Sequence, residues 1–124
     1  FDLNDFKLIN DLSGHHKGDD VLIKITDTVS NNIRATDYFG RWGGDEFLIV
    51  LQHTDLLQTK KIIKVLESKI NEINFDLKGN LKVTCSFGLC QYEENDTLDS
   101  LLKRADDSMY AIKNEYKRMR NIIA

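Results

Sequence analysis

Tyr38-Phe39-Gly40-Arg41-Trp42-Gly43-Gly44-Asp45-Glu46-Phe47-Leu48-Ile49-Val50-Leu51 sets two β-type runs on either side of Gly43-Gly44-Asp45-Glu46. The pattern predicts a hairpin with two adjacent carboxylates at its tip. Gly43-Gly44 can supply the φ > 0 backbone of a tight strand reversal, and it removes side chains that would keep a bulky ligand off the backbone. Neighbouring carboxylates repel unless a cation lies between them, so a divalent metal is the natural third party and phosphate chemistry the natural use. Gly and Asp are also ordinary turn residues, and the tip taken alone fits a plain chain reversal as well.

Outward from the hairpin, helical and strand periodicities alternate. Val21, Leu22, Ile25, Val29 and Ile33 recur at helical spacing and predict an amphipathic helix over 17–34. Ile62, Leu66, Ile70 and Ile73 predict a second helix from about Asp55 to Ile73, capped by Thr54 or Asp55. Leu81, Val83, Cys85, Phe87 and Leu89 alternate with polar or small residues, as in a strand with one buried face. A last helix starts near Asp96 or Thr97, with Leu98, Leu101, Leu102, Ala105, Met109, Ile112 and Tyr116 as its core stripe. Strand, helix, helix, hairpin, helix, strand and helix make an α+β chain, compatible with an antiparallel sheet covered by helices in the βαββαβ order.

Composition narrows the function classes. With 124 residues and 41% hydrophobic content, the chain suits one core. Seventeen basic against twenty acidic residues give a net charge of −3 with no basic stripe, which argues against nucleic acid as a partner. No apolar run reaches the ~20 residues of a membrane span, and the start lacks signal-peptide character. A cytoplasmic location is expected, including as the cytoplasmic part of a membrane-anchored sensor. Cys85 and Cys90, five residues apart in one extended segment, would be separated by roughly 16 Å and are read as free structural thiols.

Gly43-Gly44-Asp45-Glu46-Phe47 resembles the signature of the GGDEF family of diguanylate cyclases. Asp2-Leu3-Asn4-Asp5-Phe6-Lys7, Asn10-Asp11, Gly14-His15 and Gly18-Asp19 follow that family's first block in order and spacing. Val83-Thr84-Cys85-Ser86-Phe87-Gly88 and Arg104-Ala105-Asp106 with Tyr110 and Lys113 resemble its last two blocks. The resemblance spans almost the whole chain. It implies a palm-like antiparallel central sheet flanked by helices, ferredoxin-like and nucleotide-cyclase-like, with residues 1–124 as one domain. Family members carry a helix and most of a first strand ahead of the position of Asp2, so an upstream portion is expected here too.

The resemblance also implies a chemistry: two GTP molecules condense to cyclic di-GMP and two pyrophosphates, each 3′-hydroxyl attacking the other's α-phosphate. Asp2, the Leu3 carbonyl and Asp45 would hold Mg2+ or Mn2+, with Glu46 helping at the metal or the attacking hydroxyl. Lys7, Lys113 and Lys117 would neutralise the triphosphate. Asn10 and Asp19 would read guanine, beside Phe6 and His15. A carboxylate can accept from the guanine ring N–H and amine, which selects GTP over ATP. Adjacent His15 and His16 do not face a common ion. Asn4 stands where many relatives have an Asp and is not assigned to metal.

Tyr116-Lys117 replaces the family's Gly-Arg after the conserved Lys, with Arg118 or Arg120 as substitutes; at a helix end these two read first as a solvated terminus. Arg34 and Asp37 stand at the offset of the family's product-binding Arg-x-x-Asp, which would give feedback inhibition by cyclic di-GMP. Val65 takes the place of a second arginine that some relatives use there. One half-site cannot close a two-GTP ring, so a homodimer is expected, brought together by a sensory or regulatory domain outside this segment. The alternatives are a catalytically silent module that binds GTP or cyclic di-GMP, and a palm-like nucleotidyl cyclase that uses another base.

Overall fold

A computed structural model describes residues 1–123, leaving out the side chains of Asn80 and of residues 120–123. The elements in chain order are β1 (Asp2–Leu3), α1 (Phe6–Ser13), α2 (His15–Ser30), β2 (Tyr38–Gly43), β3 (Glu46–Val50), α3 (Leu56–Asn71), β4 (Cys85–Ser86) and α4 (Leu98–Ile123), with a 3-10 turn at Lys78–Asn80. Among the described residues the strands form one antiparallel sheet in the order β2-β3-β1-β4. The expected α+β order of elements is present.

Each boundary has a local cause. Asp55 caps α3 by accepting from the Gln58 N–H at 2.8 Å. At the start of α4, Thr97 and Ser100 each accept from the other's backbone N–H, at 2.9 and 3.1 Å. The expected helix over 17–34 instead starts at His15 and stops at Ser30, where the Asn32 amide donates to the Thr28 carbonyl at 2.7 Å. Ile33 still packs on the core from outside that helix.

The hairpin pairs Tyr38 with Val50, Phe39 with Ile49, Gly40 with Leu48 and Arg41 with Phe47, then slips so that Gly43 meets Glu46. This irregularity at Trp42 leaves Gly44 and Asp45 as the turn. Only Gly44 takes the left-handed conformation, at φ 53°, so one glycine rather than the pair meets the turn's demand.

β1 has only two residues, yet it lies inside the sheet, bonded on both sides. The Phe1 and Phe47 main chains exchange hydrogen bonds at 2.7 and 2.9 Å, and the Asn4 N–H donates to the Thr84 carbonyl at 2.9 Å. The predicted strand over 81–89 shrinks to Cys85–Ser86, since β1 offers only Asp2 and Leu3 as partners. Its polar side is also buried: Ser86 is 1% exposed and donates to Asn4 Oδ1 at 2.7 Å, while Asn4 Nδ2 donates to Thr84 Oγ1 at 3.0 Å.

Leu3, Ile9, Val21, Ile25, Val29, Leu66 and Ile70 are almost fully buried. Phe1, Phe39, Phe47 and Phe87 stack beside them with ring centroids 4.6–6.4 Å apart. The stripe on α4 departs from expectation, since Met109 is buried whereas Leu98 and Ile112 are exposed. From Leu98 to Met109 that face borders a cleft of about 850 Å³, also lined by Phe47, Ile62, Leu66 and Phe87, rather than a filled core; Ile112 lies beyond it. Cys85 and Cys90 are free thiols, and burial pushes the Cys85 pKa up to about 12, so it is no thiolate at neutral pH.

Candidate functional site

Asp2 is 5% exposed, on the strand at the centre of the sheet. Its register partner on β3 is Glu46. Directly opposed residues of an antiparallel pair share a face with Cβ atoms about 5 Å apart. Two carboxylates are thereby brought side by side. The Leu3 N–H donates to the Asp45 carbonyl at 3.2 Å, which stitches the hairpin turn to the same strand, and Arg41 Nε braces the turn by donating to the Gly44 carbonyl at 2.7 Å.

The charge on Asp2 is met from α4. Lys113 Nζ lies 2.7 Å from Asp2 Oδ2 and 3.4 Å from the Leu3 carbonyl oxygen. The other carboxylate oxygen, Oδ1, is buried with no hydrogen-bond partner. Leaving such an oxygen unmet costs about 1–3 kcal/mol or more, so an ionised Asp2 has unspent capacity for a cation. Among the described residues no three His, Cys, Asp or Glu side chains converge into a metal cage. An acceptor set of one carboxylate, one carbonyl and flanking acids still fits Mg2+, which keeps several waters and takes one or two carboxylates beside substrate phosphates.

The other expected residues lie around this centre. Asp5, at φ 57°, opens α1 and accepts from the Tyr116 hydroxyl at 2.7 Å. The residue that departs from the family's Gly-Arg thus ties α4 to the β1–α1 junction. Phe6 and Asn10 meet at Gly18: a Cβ there would fall 1.8 Å from Asn10 Oδ1 and 3.4 Å from Phe6 Cζ. Gly18 therefore makes room for the Asn10 amide. Asp19, His15, His16 and Lys7 are exposed on α1 and α2, as is Lys117 one turn beyond Lys113. Arg118 pairs with Glu115 at 2.5 Å; the side chain of Arg120 lies outside the described residues.

Arg34 and Asp37 close on each other. Arg34 reaches Asp37 through its backbone N–H at 2.9 Å, Nε at 3.3 Å and an Nη at 3.1 Å, and that Nη also donates to the Gln52 carbonyl and Thr54 Oγ1. The Gln52 N–H donates to Asp37 Oδ1 at 3.2 Å. The Asp37 side chain is only 1% exposed, whereas that of Arg34 is 55% exposed. A ligand can reach the arginine but not the aspartate without opening the pair. Val65 is exposed on α3.

Burial raises the Asp37 pKa, but the Arg34 guanidinium and the N–H groups of Arg34 and Gln52 outweigh it and hold the carboxyl below its ordinary 3.8. A depressed carboxyl pKa stabilises the fold above the ordinary value, and that contribution is lost as pH falls through the folded-state value. Urea unfolding from pH 6 downward should therefore show a smaller acid loss of stability for Asp37→Asn than for the unmodified chain. Parallel acid limbs would contradict this.

Three features of the site were not assigned from sequence: the Lys113 ammonium on Asp2, the Asn4–Thr84–Ser86 network under β1, and the Tyr116–Asp5 tie. Each joins the N-terminal segment to residues 80 or more positions away, where local spacing carries no signal. Asn4 in place of a family Asp and Tyr116 in place of Gly were the available hints.

The sequence matches the family described as "Diguanylate cyclase, GGDEF domain" over residues 1–119. It is 36% identical over 114 residues to the diguanylate cyclase DgcM of Escherichia coli K12, covering 92% of this chain and 27% of that protein. The structure of an active GGEEF domain of a diguanylate cyclase from Vibrio cholerae matches with a TM-score of 0.80 and 30% identity, over 92% of this chain and 73% of that one. The GGDEF domain of DgcB from Caulobacter crescentus, solved in complex with c-di-GMP, has the same fold, with a TM-score of 0.84 at 22% identity over 92% of this chain and 69% of that one. The chain thus spans about a quarter of the DgcM sequence.

Proposed function

Because this chain belongs to the GGDEF-domain family of diguanylate cyclases, we propose that it condenses two GTP molecules into cyclic di-GMP. In each half-reaction a 3′-hydroxyl oxygen forms a bond to the α-phosphorus of the other nucleotide. The bond to the β-phosphate oxygen breaks and pyrophosphate leaves. The observation that carries this reading is a buried Asp2 with one unmet carboxylate oxygen, set opposite Glu46 and stitched to the Asp45 turn.

A divalent ion, Mg2+ or Mn2+, held by Asp2, the Leu3 carbonyl and Asp45 would neutralise charge on the reacting phosphates. Glu46, beside Asp2, orients the attacking hydroxyl and takes up its proton. Lys7, Lys113 and Lys117 spread positive charge along the triphosphate from two elements that flank β1. Asn10, held in the space that Gly18 leaves, reads the base together with Asp19, in the neighbourhood of Phe6 and His15. Phosphoryl chemistry of this kind relies on positioning and electrostatics, which so few polar groups can supply. Ring closure needs a second copy facing the first, so the active form is a homodimer. A sensory or regulatory domain on the longer chain would govern that encounter in the cytoplasm, where GTP is available. Among the described residues no helix is long and apolar enough to cross a membrane.

Arg34 and Asp37 form the inhibitory product site. The exposed guanidinium forks onto a guanine edge once it leaves the Gln52 and Thr54 oxygens. Arg34→Ala should raise the cyclic di-GMP concentration needed for half-inhibition by at least about tenfold, the loss of one bidentate contact; superimposable inhibition curves would remove the site. The reaction itself is tested by incubating the protein that carries this domain with GTP and Mg2+ or Mn2+ and resolving the nucleotides chromatographically. Cyclic di-GMP and pyrophosphate are expected, with ATP a poor substitute. Tight binding of cyclic di-GMP with no turnover would instead make the domain a silent binding module.

A further inference from the structure

Of the oxygens assigned to a divalent ion, Asp2 Oδ2 and the Leu3 carbonyl already face a positive charge, while Asp2 Oδ1 has no partner. Lys113 Nζ sits on Asp2 Oδ2 at 2.7 Å and near the Leu3 carbonyl at 3.4 Å, in a setting where the two side chains are 17% and 8% exposed. A divalent ion that took Asp2 Oδ1 and the Leu3 carbonyl would sit on the same carboxylate as the ammonium and contest the same carbonyl, and like charges a few ångströms apart repel strongly in a buried site. An Asp2 stripped of any cation would be equally costly. We propose that Lys113 is an exchangeable cation: it fills the metal position of the nucleotide-free site and gives it up only when phosphate offers the ammonium another anion.

The inference rests on the metal-site reading above and extends it to the order of events. The lysine stem is flexible and its head is a compact charge, so the ammonium can swing while α4 stays fixed by the Tyr116–Asp5 hydrogen bond. Divalent metal alone then meets an occupied site and binds weakly. Nucleotide removes the competitor by drawing Lys113 onto its phosphates. Metal and nucleotide therefore bind cooperatively, and by linkage each raises the affinity of the other by the same factor. Asp2 remains neutralised throughout, which protects the central strand between turnovers.

Mn2+ binding to the full-length protein, read as loss of the free-ion paramagnetic resonance signal, tests this without turnover. It is measured with Mn2+ alone and with 3′-deoxy-GTP, which lacks the attacking hydroxyl. Lys113→Met should tighten binding of Mn2+ alone on the order of tenfold and reduce the gain from nucleotide. Lys103→Met removes the same charge from an exposed position on α4 and should change Mn2+ affinity less than twofold. Should Lys113→Met fold poorly without metal, Lys113→Gln keeps a donor for Asp2 without the charge and should also tighten binding. Unchanged or weaker Mn2+ binding in both Lys113 variants would overturn the exchange, as would equal tightening by Lys103→Met. Asp2→Asn separates the premise from the inference: Mn2+ binding indifferent to that change would sink the metal site itself.

Discussion

Asp45→Ala should reduce cyclic di-GMP formation about 1,000-fold while leaving the domain folded. Among the described residues its carboxylate makes no hydrogen bond or ion pair; the turn is fixed by the Gly44 and Asp45 carbonyls, which accept from Arg41 Nε and the Leu3 N–H. Alanine keeps both bonds, so the melting temperature should barely move. What disappears is a metal ligand at the reacting phosphate. Metal stabilisation of a phosphoryl transition state amounts to several kcal/mol, and about 4 kcal/mol corresponds to three decades in rate. Retained activity in a folded variant would remove Asp45 from the catalytic centre, whereas lost activity together with a collapsed melting curve would make it a structural residue.

The second large effect falls on the fold. Gly88→Ala should cost about 3 kcal/mol or more, near the top of the range for overpacking. A Cβ at Gly88 would lie 2.2 Å from the Met109 nitrogen, 2.4 Å from the Ala105 carbonyl oxygen and 2.5 Å from Met109 Cα. These are backbone atoms, so no rotamer change relieves the clash; α4 must back away from the segment after β4. The Leu89 N–H bond to Ser108 Oγ, at 3.2 Å, would be lost with it. Because Lys113 follows Met109 by one turn of α4, its contact with Asp2 should loosen as well. Urea unfolding gives the measurement, and a loss below about 1 kcal/mol would show that the helix yields more readily than its packing implies.

Much of this architecture was legible in local sequence. The hairpin announced itself through alternation around Gly44-Asp45, and α3 through its apolar spacing and the Asp55 cap. Membership of the family was legible in motif order from Asp2 to Lys113. Long-range geometry was not. The length of β4 is set by a β1 partner at the other end of the chain, and Ser86 reads as a solvent-facing strand residue until Asn4 is placed beside it. Leu98 and Ile112 fit a helical stripe perfectly well, but periodicity cannot say whether the facing space is filled. For the site, residue types pointed to metal and phosphate, yet Lys113 was assigned to phosphate alone. Its position on Asp2 depends on how α4 docks, which no spacing within α4 encodes.

Anomalous diffraction from crystals of the protein grown with Mn2+ and 3′-deoxy-GTP addresses the central claim most directly. The prediction is an ion about 2.1 Å from an Asp2 carboxylate oxygen and from the Leu3 carbonyl, with the Asp45 turn drawn toward the same ion and Lys113 moved onto phosphate. Bound nucleotide with its metal held elsewhere, and Asp2 still capped by Lys113, would contradict it.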